Sequence, residues 1–202
     1  MTERYHHGDL REALLSGAAE LLSEGGPRGL SLREAARRAG VSTGAPYRHF
    51  KDKDELLTAL AARGFMALDA ALRSVADANP GQPPLARLRT LGVAYVEFAV
   101  AQPALFRLMF GEFAPTTDAS PELAEAVRRA GAHLPQAAAA VQQAQLGDLD
   151  AEDITLLSWS VVHGVASLYL DGHLRPFQQP GDVPGVSVAE RVTRALVAAI
   201  RA

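Results

Sequence analysis

The stretch Leu30-Ser-Leu-Arg-Glu-Ala-Ala-Arg-Arg-Ala-Gly40-Val-Ser-Thr-Gly-Ala-Pro-Tyr-Arg-His-Phe50 decides the fold of this chain. Ser31 and Glu34 have the spacing of a capping box, so a short helix is predicted to start there. Ala35 and Ala36 carry only methyl groups and leave room for another helix to cross closely. Gly40 can take the positive φ that a sharp turn needs. Val41, just after it, is apolar enough to plug the turn into a core. Ser42 or Thr43 then opens a second short helix through Phe50, with Pro46 in its first turn, where a missing N–H costs little. Helix, tight turn and helix is the resulting pattern.

The charge around this segment is uneven. Between Arg33 and Lys53 stand six basic residues and two acidic ones, a local surplus of +4 in a chain of net charge −3. Lys51 and Lys53 are the only lysines. A negative chain is a poor non-specific coat for nucleic acid, whereas a confined basic patch suits a limited contact. A solvated helix face would carry the same charges, so charge by itself does not choose.

The remainder of the 202 residues reads as helix. Apolar residues recur at helical spacing and strand signals are nearly absent. Leu10, Ala13, Leu14, Ala18, Leu21 and Leu22 form one stripe of a first helix, from Asp9 to about Ser23, closed by Gly25-Gly26-Pro27. A long helix is predicted from Lys53 to Ala78. Further helices start near Pro84, Pro103, Pro121, Ala151 and Val188. The expected fold is all-α with about nine helices. A three-helix N-terminal helix-turn-helix domain (1–52) is expected to precede a larger helical bundle (53–202).

Several function classes drop out. With no cysteine there is no disulfide, thiol catalysis or thiolate metal site. The six histidines show no metal-binding spacing, and no acid, base or metal-ligand constellation repeats across helices. No enzyme, metal or cofactor is expected. Uninterrupted apolar runs look too short for a bilayer, and residues 1–22 show no leader-like apolar block. A cytoplasmic protein with no membrane partner is expected.

The segment Leu30–Leu57 resembles the DNA-binding segment of TetR-family repressors. The matching residues are Val41-Ser-Thr, Tyr47, His49-Phe50, Lys53 and Leu56-Leu57. The opening Tyr5-His-His-Gly-Asp-Leu-Arg-Glu-Ala-Leu14 is similar to one branch of that family. So are Pro103–Phe110 and the Trp159-Ser-Val-Val-His163-Gly164 stretch. The resemblance implies a DNA-binding transcription regulator, by family default a repressor, bound as a homodimer to a palindromic double-stranded operator and released by a small ligand.

It also implies roles. Ser31 and Arg33 would touch phosphates, and Thr43, Gly44 and Ala45 would face base edges. Tyr47 would contact phosphate and sugar, and His49 and Lys53 would grip the backbone. Arg48 would read a guanine or hold another phosphate. Phe50 is expected to anchor this element to the first helix. Gly44-Ala45 departs from many relatives and offers little side chain, which leaves more of the specificity to DNA shape.

In the larger bundle, Phe106, Met109 and Phe110 lie at i, i+3 and i+4. They make either core or the wall of a ligand pocket, with Trp159 and His163 as its other residues. The ligand would be small and largely apolar. Ile154–Leu170 is apolar nearly all round and must be covered on both sides. With the last helix it is expected to form a four-helix dimer interface through Ile154, Leu157, Val161, Leu168, Val192, Leu196 and Ile200. The alternative is a helical interaction module that no longer binds DNA.

Overall fold

A computed structural model describes residues 7–178, 181, 183 and 185–201, with side chains from residue 10 onward. Tyr5 and His6, part of the N-terminal resemblance, lie outside the described residues. Eight α-helices and two 3-10 turns make up the described chain, and no strand occurs among those residues. The helices are α1 (His7–Gly29), α2 (Leu32–Arg38), α3 (Lys53–Asp77), α4 (Pro84–Ala101), α5 (Pro103–Phe110), α6 (Pro121–Gln143), α7 (Ala151–Leu170) and α8 (Val186–Arg201). The all-α expectation holds, and most predicted boundaries lie within a few residues.

The helix predicted from Ser42 or Thr43 to Phe50 is the main correction. Only Pro46–Arg48 is helical, and as a 3-10 turn. Pro46 lacks an N–H and cannot extend an α-helical ladder backwards. The chain instead closes tight turns, with Ala45 N–H to Ser42 O at 2.9 Å and His49 N–H to Pro46 O at 2.9 Å.

By its contacts the chain forms two compact units. One comprises Met1–Phe65 with Pro103–Val127, the other Met66–Gln102 with Arg128–Ala202. The sequence suggested a division at residue 53. Packing instead draws α5 into the N-terminal unit, because its apolar face has α1 and the start of α3 to cover it. A Cβ added to Gly64 would fall 2.6 Å from Sδ of Met109, so α3 and α5 touch there nearly backbone to side chain.

In the first unit, Leu14, Ala18, Leu22, Ala35, Ala36, Leu56 and Leu60 are buried. The small residues permit the predicted crossing: a Cβ on Gly17 of α1 would sit 3.1 Å from the Ala35 carbonyl. Gly26 has φ 66° and ψ −174°, which breaks α1 where Gly25-Gly26-Pro27 predicted an end.

In the second unit, α4, α7 and α8 share a core. At Gly92 the three come close together, with Thr193 and Val162 methyl carbons 3.0 Å from where a Cβ would be. Thr193 is buried there and satisfies its hydroxyl on Ala189 O at 2.7 Å. Asp150 caps α7 by accepting the Asp153 N–H at 2.8 Å. α7 is long and apolar enough to cross a membrane by length and composition, contrary to the estimate from uninterrupted runs, because small and hydroxyl residues interrupt it without lowering its mean much. Only 28% of that stretch is buried within the chain.

Candidate nucleic-acid interface

Ser31 is the N-cap of α2, and its hydroxyl accepts the Glu34 N–H at 3.2 Å. Only half of the predicted capping box forms, because the Glu34 carboxylate turns to Arg37 instead. α2 ends at Ala39. Gly40 follows with φ 68°, its N–H bonded to Arg37 O at 3.2 Å and that of Val41 to Ala36 O at 3.0 Å. These two bonds make a Schellman ending, which needs a left-handed residue at this position.

Beyond the turn, Pro46 and Phe50 are buried and pin the segment down. The Arg11 guanidinium of α1 lies 5.6 Å from the centre of the Phe50 ring, consistent with the anchoring role expected of Phe50. Between the two anchors the chain turns outward. Thr43, Gly44 and Arg48 are exposed, Ala45 is half-buried, and Tyr47 keeps 54% of its surface although it is aromatic. A large ring left in water beside buried neighbours is what a contact surface shows. His49 is half-buried, and its Nε2 is enclosed without a hydrogen-bond partner.

The start of α3 is fixed from both directions. Asp52 accepts the Glu55 N–H at 2.9 Å, and the Glu55 carboxylate accepts the Lys51 N–H at 2.5 Å. Lys53, its first residue, donates to the Arg28 carbonyl at 3.2 Å, which holds the ammonium near the N-terminus of α3.

The basic patch divides into two kinds of residue, which the sequence did not reveal. Arg38 binds Glu24 at 2.7 and 2.8 Å and Glu20 at 3.1 Å, stapling α2 to α1. The hydrogen bond from Arg38 holds the Glu24 carboxyl below its usual range, and Arg37 does the same for Glu34. These two arginines are structural. Arg33 and Arg48 are exposed and form no ion pair among the described residues. With Lys51 and Lys53 they leave the outward positive charge on the turn and its flanks.

A family model described as "Bacterial regulatory proteins, tetR family" matches residues 14–60, the helices and turn just described. A second, "Tetracyclin repressor-like, C-terminal domain", matches residues 88–196, more than half of the chain. The chain belongs to the TetR family. Tetracycline repressor protein class C of Escherichia coli is 51% identical over 51 residues, 25% of this chain and 23% of that protein. The helix-turn-helix-type transcriptional repressor KstR2 of Mycobacterium tuberculosis is 38% identical over 88 residues, 43% of this chain and 42% of that protein. The chain thus spans between about a quarter and two fifths of the length of these curated relatives. A solved protein of unknown function from Rhodococcus sp. RHA1 is similar throughout, at 35% identity and TM-score 0.83, with 100% of both chains covered.

The residues expected to line a ligand pocket fall into both units. Phe106 and Met109 are buried in the first. The Phe110 ring there lies 4.9 Å from that of Phe106 and 5.3 Å from that of Phe65. Trp159 and His163 belong to the second unit, their rings 5.7 Å apart, with Trp159 46% exposed. The hydroxyl of Tyr95, on α4, meets His163 Nδ1 at 2.9 Å. Burial lowers the His163 pKa, so the ring is neutral near pH 7. Burial also pushes the Tyr95 phenol well up, partly offset by a hydrogen bond from Trp159. No sequence spacing marked Tyr95, since its partner is 68 residues away.

A second polar cluster was missed for the same reason. Asp69 of α3 is buried, accepts a hydrogen bond from His133 Nε2 of α6 at 2.7 Å, and is paired with Arg73. Burial pushes the Asp69 carboxyl up, but His133 and Arg73 outweigh it and hold it below its ordinary value.

Of the residues expected at a dimer interface, Ile154, Leu196 and Ile200 are already buried inside the chain. Leu157 and Leu168 are exposed, and Val161 and Val192 half-buried. Leu156 and Trp159 widen the open apolar face of α7. A Cβ added at Gly164 would meet nothing within 4 Å, so no other helix among the described residues approaches it at that point.

Proposed function

We propose that this TetR-family protein is a DNA-binding transcription regulator that represses from a palindromic operator as a homodimer in the cytoplasm. The observation that carries the reading is the turn 42–49. Buried Pro46 and Phe50 hold it, and it offers water an unpaired Arg48, Thr43 and a half-exposed Tyr47. Hydroxyls, guanidinium groups and a helix N-terminus are the groups that phosphate oxygens accept from.

Ser31, Arg33, Tyr47, His49 and Lys53 position the protein on the phosphate backbone. Thr43, Gly44, Ala45 and Arg48 meet the bases. Two such turns in a symmetric dimer match half-sites about 34–36 Å apart. The dimer forms through Leu156, Leu157 and Leu168 of α7 and Val192 of α8. This covers a helix whose composition demands burial and whose own chain supplies little of it. A small, largely apolar ligand acts through Trp159 and His163 and lowers operator affinity by binding the DNA-free state better.

Selection of bound duplexes from a random pool at low salt tests this reading. A two-fold symmetric motif with half-sites one helical turn apart is expected. Failure to enrich any sequence, with the protein folded by circular dichroism, overturns it.

A further inference from the structure

Arg89 of α4 and Arg194 and Arg201 of α8 line one groove of about 540 Å³ in the second unit. Between them its wall is apolar, from Leu85, Val197 and Ala198, and no carboxylate among the described residues lines it. None of the three arginines forms an ion pair among the described residues. Arg89 is half-buried, and its Nε is enclosed with no hydrogen-bond partner. A guanidinium stays charged at any physiological pH. Holding one partly out of water, with an unmatched donor, is unfavourable unless an acceptor arrives. Arg194 and Arg201 add two more cations to the same concavity, where like charges repel each other.

On α8 this stripe differs from the proposed dimer face. Arg194, Val197, Ala198 and Arg201 recur at three- and four-residue spacing on the flank that lines the groove with α4. Val192, Ala195 and Ala199 lie on the far side of the buried Thr193, Leu196 and Ile200 from the groove residues, so the proposed dimer face leaves the groove open.

We propose that this groove binds a small molecule with an apolar body and a phosphate monoester head. The volume lies within the usual range for ligand sites, roughly 300–1,000 Å³. The guanidinium fork matches phosphate oxygens in pairs, and a dianion offsets more of the three charges than a carboxylate does. The apolar wall between the cations requires an apolar body and sets this occupant apart from a plain polyanion. The site is separate from the turn 42–49 and does not depend on the DNA-binding reading.

Isothermal titration of the full chain with octyl phosphate, at fixed ionic strength, tests the assignment. One saturable site per chain is expected. Arg89→Met and Ala198→Glu are each expected to weaken it about tenfold or more, the scale of one charge-assisted hydrogen bond. The first removes the half-buried charge but keeps its stem. The second places a carboxylate in the groove from an exposed position, so the fold is retained and circular dichroism can verify it. Octanol, octanoate and inorganic phosphate are each expected to bind more weakly than octyl phosphate. Undiminished binding by both variants, or no octyl phosphate binding at millimolar concentration, overturns the site. Octanol equal to octyl phosphate rejects the anion, inorganic phosphate equal to it rejects the apolar body, and tighter octanoate rejects the phosphate head.

Discussion

Replacing Gly40 by alanine is expected to destabilise the protein by about 1 kcal/mol, a figure set by one dihedral angle. Gly40 sits at φ 68°, and nothing lies within 4 Å of where its Cβ would be. Steric contact with neighbours therefore contributes nothing, and the left-handed conformation supplies the whole cost. For a non-glycine residue that cost is roughly 1–2 kcal/mol. Alanine also restricts the unfolded chain, which returns about 0.4–1 kcal/mol. At mid-range the two leave a net loss of about 0.8 kcal/mol, or a few degrees in melting temperature for a chain of this size.

Asparagine, which tolerates this region better, should lose less than alanine. The assay is equilibrium urea unfolding at one protein concentration, because the proposed dimer would couple stability to concentration. If alanine relaxes to negative φ, the Schellman bonds at Gly40 and Val41 break and the turn 42–49 shifts, so operator affinity falls as well. Stability equal to or above wild type in Gly40→Ala would refute the claim that the turn requires a left-handed residue.

Tyr47→Phe is expected to weaken operator binding severalfold, and Lys53→Gln, which removes one phosphate contact from each of two protomers, to lower the slope of log affinity against log salt by about 1.8. Fluorescence anisotropy over a salt series checks both, and unchanged slopes for Lys53→Gln would deny it a phosphate contact. Asp69, whose folded pKa lies below its ordinary value of 3.8, contributes stability that is present above about pH 4 and lost as pH falls through the folded value. Asp69→Asn should therefore be less stable at pH 7 and show a flatter acid slope in unfolding measured from about pH 7 to about pH 3. A parallel shift at every pH would deny the linkage. Leu156→Glu with Leu157→Glu should yield monomers at micromolar concentration in sedimentation velocity. A wild type that is itself monomeric, or a double variant that remains dimeric, contradicts the proposed interface.

The helices were legible because their evidence is local. Pro84, Pro103 and Pro121 stand at helix starts, and Asp150 caps α7, each acting within one turn of itself. Gly40 was legible too, since few residues other than glycine take its φ cheaply. The segment 42–50 misled because Ser42 and Thr43 resemble helix caps. Its hydrogen bonds instead close around Pro46, and burial of Phe50 holds them there.

By itself the sequence determined the all-helical architecture, the short helix and left-handed glycine that open the helix-turn-helix, and the local surplus of cations around them, since these depend on neighbours a few residues apart. Only the tertiary structure decided which charges are spent. Arg38 finds Glu20 and Glu24 on another helix, whereas Arg33 and Arg48 find no acidic partner among the described residues and remain for an anion. The same holds for Asp69 with His133, Tyr95 with His163, and the three arginines gathered at one groove. A side chain's protonation, pairing and exposure depend on what folding brings against it from dozens of residues away, and no local spacing records that.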